Sequence, residues 1–140
     1  MDAGLQLVLR SVHVLAVILW IGGTVTAALI VAIGAADATP KIAAAARRAV
    51  LYVATPALLI AWLVGLSVLL NGWGVYKSAG WMHTKLTLAL VVTGLTGVVT
   101  GRLRRAATGG EANPGLLRSM AAGILLLAFG ILLLARLQPF

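Results

Sequence analysis

Residues 5–34 read LQLVLRSVHVLAVILWIGGTVTAALIVAIG, and this stretch decides the fold. Its only ionisable side chains are Arg10 and His13. About 20 apolar residues in helical form cross the hydrocarbon core of a bilayer, so the stretch is long enough to span. It exceeds the apolar region of about 7–15 residues found in cleaved signal peptides, and the reading is a retained membrane helix. Three more apolar stretches follow, at about Ala49–Leu70, Met82–Thr100 and Leu116–Leu137. Four such segments take up most of the 140 residues, of which 61% are hydrophobic and 10% charged. A soluble domain carries about 25% charged residues. The expectation is therefore an all-α, polytopic membrane protein: a single four-transmembrane-helix bundle over residues 1–140, with spans at about 5–34, 49–70, 82–100 and 116–137.

Composition excludes several classes. The mean hydropathy of +1.07 rules out a soluble enzyme and a disordered chain. The net charge of +8 is a basic-loop signature in this context, with no nucleic-acid partner implied. Cysteine is absent, which excludes disulfide-exchange chemistry and thiolate metal sites.

The loops sort by charge. Lys41, Arg47 and Arg48 follow the first span, beside the helix-breaking Pro40, in a polar Ala-rich link over 35–48. Arg102, Arg104, Arg105 and Arg118 flank the third connection, where Gly109, Gly110, Asn113 and Pro114 form turns. The second connection, 71–81, carries Lys77 together with Trp73, Tyr76 and Trp81, residues of the water–lipid boundary. The positive-inside rule then puts both termini outside the cytoplasm, in a bacterial-type inner (plasma) membrane. Small residues, Gly97 and Gly101 on the third span and Gly22, Gly23, Ala27 and Ala28 on the first, predict close helix contacts.

Ionisable groups inside a span are costly and point to function. Both histidines of the chain, His13 and His83, fall in spans of like direction and near the same end. Arg10, Lys85 and Arg136 lie toward that end too, and no Asp or Glu occurs within any span. Cations without a carboxylate partner call for an external anion, such as the propionates of a porphyrin; the competing reading is that they snorkel to lipid phosphates. Two inward histidines on separate helices suit a metal or a heme iron clamped from both sides. Arg10, His13, Val17, Trp20 and Thr24 share one helical face of the first span, and His83, Thr87, Leu90, Gly94 and Gly97 share one of the third. His83 and Lys85 are two positions apart, about 200° around a helix, so only one of them faces a central ligand squarely. Trp20 and Trp62 are placed to flank a planar cofactor or to pack; Thr55 and Pro56 loosen the second helix beside the site.

Three segments carry a family resemblance: Val12-His13-Val14-Leu15-Ala16 with Trp20, Tyr52 to Gly65 with Pro56, and Gly80-Trp81-Met82-His83-Thr84-Lys85-Leu86. In order and spacing they resemble the HemJ-type protoporphyrinogen oxidases, small membrane proteins that bind heme b, and the related copper-resistance D-type membrane domain. The resemblance covers the first three spans. After Trp20, Ile21-Gly22-Gly23-Thr24-Val25 is closer to the copper-resistance type. The resemblance implies His13 as an axial ligand and His83 and Lys85 as the third-span residues associated with heme binding or activity. It adds to a site set of Arg10, His13, Trp20, His83 and Lys85 for the cofactor, His13 and His83 for the metal, and Lys85 as the catalytic candidate, able to assist proton removal.

The functional expectation is a heme-b membrane oxidoreductase of the protoporphyrinogen oxidase kind, with a porphyrin or quinone-type small molecule as partner. The alternatives are a non-enzymatic heme-binding electron-transfer subunit, a copper-handling protein, and a small anion channel formed by a homo-oligomer. Copper finds few soft ligands, since the methionines are Met1, Met82 and Met120.

Overall fold

The computed structural model describes residues 2–34 and 40–138. All of its elements are helical, and four helical segments are long and apolar enough to cross a membrane: Ala3–Ile33, Pro40–Asn71, Gly80–Ala107 and Pro114–Leu137. The chain is a multi-pass membrane protein with an all-α, four-helix architecture.

Helix α1 (Ala3–Ile33) begins at Asp2, whose carboxylate accepts from the Leu5 N–H at 2.7 Å. At 31 residues it is about 46 Å long, against about 30 Å of hydrocarbon, so it tilts or projects beyond the core. The next segment is helical from its start. Residues 40–48, expected within a polar link, form helix α2 (Pro40–Ala49), because Pro at a first helical position is preorganised and alanine propagates a helix well. The rest of that link, 35–39, lies outside the described residues.

Helix α2 passes through a π-helical turn, Val50–Ala54, into α3 (Thr55–Asn71). The cause is local. Pro56 has no N–H to give the carbonyl one turn back, and the Thr55 N–H reaches to Val50 instead, widening the turn. A short helix α4 (Trp73–Tyr76) fills the next connection. Helix α5 (Gly80–Ala107) overruns its expected span at both ends, and α6 (Pro114–Leu137) starts at an Asn113 cap that accepts from the Leu116 N–H at 3.3 Å.

Large apolar side chains point outward, Leu63 and Leu126 being 68% and 72% exposed, as suits a surface solvated by lipid. Beside buried Leu103, Leu117 and Ile124, much of the interior is built of small ones: Ala27, Ala28, Ala43, Ala54, Ala57 and Ala61 are all buried. A Cβ on Gly23 would stand 3.3 Å from that of Ala54, so α1 and the π turn are in close contact. Where lipid supplies no hydrophobic drive, such approach holds helices by dispersion. Gly97 and Gly101 take no part: both are exposed, and a Cβ on either would meet nothing within 4 Å.

Helix α1 packs against α3 and α6, α6 against α5, and α2 against α5. Helices α3 and α5 hardly approach one another. The bundle thus has a loop end, carrying Arg47, Arg48, Arg102, Arg104 and Arg105, that is closed all round. At the opposite end, where Asp2 and Gln138 lie, it is splayed.

Candidate functional site

The splayed end encloses a cavity of about 380 Å³ between α1, α3, α5 and α6. This is within the range of sites for small organic ligands, about 300–1,000 Å³. Its charged side chains are Arg10, Lys85 and Arg136, with His13 as the further titratable base; no carboxylate lines it among the described residues. Of the three acidic residues in the chain, Asp2 is occupied as a helix cap and Glu111 lies in the α5–α6 turn at the opposite end. Asp37 lies outside the described residues. Arg10 and Arg136 are exposed at the rim, and Lys85 is half-buried deeper in the wall.

His13 is the best-positioned group. Its Nδ1–H donates to the Ala61 carbonyl of α3 at 2.8 Å. That bond fixes the tautomer, so Nε2 keeps its lone pair, the arrangement usual for a histidine that ligates through Nε2. The ring reaches a helix carbonyl because Gly65 lies beneath it: a Cβ there would stand 2.8 Å from the His13 Cε1. In the sequence Gly65 stands out only as the end of the Tyr52–Gly65 segment. The usable signal is the small-residue series Ala57, Ala61, Gly65, which repeats every four positions and leaves one side of α3 bare.

Two tryptophans form the deep wall, and both are anchored. The Trp20 Nε1–H donates to the Thr96 hydroxyl at 3.0 Å, and the Trp62 Nε1–H donates to Thr93 at 3.0 Å. Each threonine in turn donates to a carbonyl of its own helix, Val92 at 2.9 Å and Ala89 at 2.8 Å. Both indoles therefore have satisfied N–H groups and present ring surface to the cavity. They also tie α1 and α3 to α5. At the mouth, the Tyr76 hydroxyl accepts from Arg10 at 3.5 Å, and its ring meets Trp81 edge-on at 6.0 Å between centroids.

The structure thus brings Arg10, His13, Trp20 and Lys85 around one space, and His83 outside it. The shared two-histidine clamp is corrected here. His83 is exposed, and its Nε2–H donates to the Lys77 carbonyl at 2.9 Å. The reason is helical phase: Trp81, Lys85 and Ala89 share the cavity face of α5, and a residue two positions from Lys85 is turned away from it. Matching depth along two helices does not supply matching azimuth. No cluster of three or more His, Cys, Asp or Glu side chains suited to a metal occurs among the described residues. Compared with protein-family models, with curated proteins and with solved structures, the chain matches none.

Proposed function

We propose that this chain is a heme-b-binding integral membrane oxidoreductase of the HemJ-like kind, acting on a reduced tetrapyrrole, with both termini on the non-cytoplasmic side of a bacterial-type inner membrane. The observation that carries the reading is His13: an imidazole with its Nδ1–H committed to Ala61 and its Nε2 free, on the wall of an apolar cavity whose charged groups are all cationic.

The residues suit the group. His13 would supply a nitrogen ligand, Arg10, Lys85 and Arg136 would meet the carboxylates, and Trp20 and Trp62 would give the site its apolar wall. The heme would supply the electron-accepting chemistry. The chain's own contribution is to hold the imidazole in one tautomer, orient the acidic edge toward the mouth, and keep water from the deep wall. Lys85 is placed to hold a carboxylate as its ammonium or, as the free amine, to take a proton from the substrate. Each two-electron, two-proton step of the tetrapyrrole's oxidation would reduce one quinone-type acceptor to its quinol, and a porphyrinogen going to a porphyrin would take three such steps.

A non-enzymatic heme-binding subunit is the second reading. It is favoured by the scarcity of acid–base groups on the wall, where no carboxylate accompanies Lys85 among the described residues. Copper is less well served, since the cavity wall offers it one imidazole and the Met82 thioether and no thiolate.

Absorption spectra of the detergent-purified protein, oxidised and reduced, test the proposal. Heme bands are expected in the native chain, with loss or a marked shift in His13→Ala. Identical spectra in that variant, or stoichiometric copper without heme, would sink it. Consumption of protoporphyrinogen by the purified protein separates the enzyme from the electron-transfer subunit.

A further inference from the structure

The wall of the cavity between α3 and α5 is made by side chains and not by packed helices. The preceding segment, α2, does pack on α5; beyond the π turn and Pro56 the chain leans on α1 instead, and the two backbones separate. The gap is bounded at two levels. Toward the loop end it is crossed by the Trp62–Thr93 hydrogen bond. Toward the termini it is crossed by apolar contact of Leu69 with Trp81 and Met82. Between them stand Leu66, which lines the cavity while 40% exposed, and, along α5, the cavity-lining Lys85, Leu86 and Ala89. The half-buried ammonium of Lys85 therefore lies on the cavity wall at the level of this gap, where Leu66 is open to lipid.

We propose that this opening is a lateral portal, through which the cavity takes its ligand from the bilayer and not from water. The ligand class follows from the lining. It is a membrane-dissolved amphiphile with an apolar body and a carboxylate at one end. The carboxylate meets Lys85 at the portal and passes on toward Arg10 and Arg136 at the mouth, while the body enters between Leu66 and Ala89 to lie against the indoles. A cation in a low-dielectric opening attracts such an anion far more strongly than one in water does. The idea rests on the cavity being a ligand site, as proposed above, but not on the ligand carrying iron.

The test exploits the absence of native cysteine. Leu66→Cys/Ala89→Cys, joined by a short bis-maleimide, locks the portal in protein reconstituted into phosphatidylcholine vesicles. Two probes are dissolved in the bilayer beforehand: hemin, read by its absorption band, and metal-free protoporphyrin IX, read by quenching of tryptophan fluorescence. Locking is expected to slow uptake of both at least tenfold, and to leave the spectrum unchanged when hemin is loaded before cross-linking. Lys85→Gln without cross-linking is expected to slow hemin several-fold but not hemin dimethyl ester, which has no free carboxylate. Undiminished uptake through the locked portal overturns the proposal. So does a block produced only by Val14→Cys/Ala135→Cys cross-linking on the α1–α6 side. Failure of the heme reading looks different: hemin gives no band in any variant, while protoporphyrin still enters and is still stopped by the lock.

Discussion

The two ends of this bundle are built on different terms. At the loop end, Ala28, Val31, Val50, Val99, Leu103, Leu117 and Ile124 are buried almost completely, and α2 closes the ring of helices against α5. At the termini end the buried cluster shrinks to Leu69, Trp81 and Met82, and the space between the helices is left open. The same four segments are dry and close-packed over one half and hollow over the other. The change occurs where the π turn and Pro56 redirect the second segment. Close packing at one end can hold an open site at the other, where a ligand is to fill what side chains do not.

The comparison is broken most forcefully at the packed end. Leu117→Ala empties a fully buried position and is expected to cost about 2–5 kcal/mol. A large fall in the thermal midpoint in detergent, with ligand binding retained in the protein that stays folded, would match the division of labour. A negligible fall would show that the loop end is not what holds the bundle.

Gly65→Ala acts on the open end. Its Cβ would press on the His13 ring from 2.8 Å, and displacing the ring is expected to cost about 1–3 kcal/mol and to break the bond to Ala61. The Nδ1–H resonance of His13 in isotope-labelled protein reports this directly: it should move and exchange faster, whether or not heme is bound.

Thr96→Val tests the junction between the two regimes. The buried Trp20 N–H would lose its acceptor, at about 0.6–2 kcal/mol by the range for hydrogen bonds between membrane helices. Thr93→Val, beneath the less buried Trp62, should cost less. Equal effects in thermal unfolding would mean that the two indoles are not graded by burial.

The smallest effect belongs to His83→Ala. With its ring exposed and bonded to a loop carbonyl, the substitution should change stability by less than about 0.5 kcal/mol. Heme spectra should be unaltered. A lost absorption band would restore the two-histidine clamp.

Periodicity made the first span's inward face readable, since Arg10, His13, Val17 and Trp20 fall in one stripe and all line the cavity. On the third span the sequence leaves His83 and Lys85 as alternatives for the inward side, because Gly94 and Gly97 are as compatible with an exposed face as with a packed one. Polar residues alone did not say which side of the helix was inward; Trp81, Lys85 and Ala89 do so only once α6 and α3 are in place. Gly65, Thr93 and Thr96 were silent for a related reason. Their roles are contacts to a partner helix, and no local pattern names the partner.

By itself the amino-acid order determined that the chain crosses a membrane as four helices and that cations collect at both ends, because span length and the scarcity of charge are properties of each segment alone. Which histidine faces the interior, that Ala61 sets its tautomer, and that one half of the bundle is hollow were decided only by how the helices rotate and lean together. Those are relations between segments, and a turn of about 100° per residue converts a one-position difference in phase into the difference between a cavity wall and a lipid-facing surface.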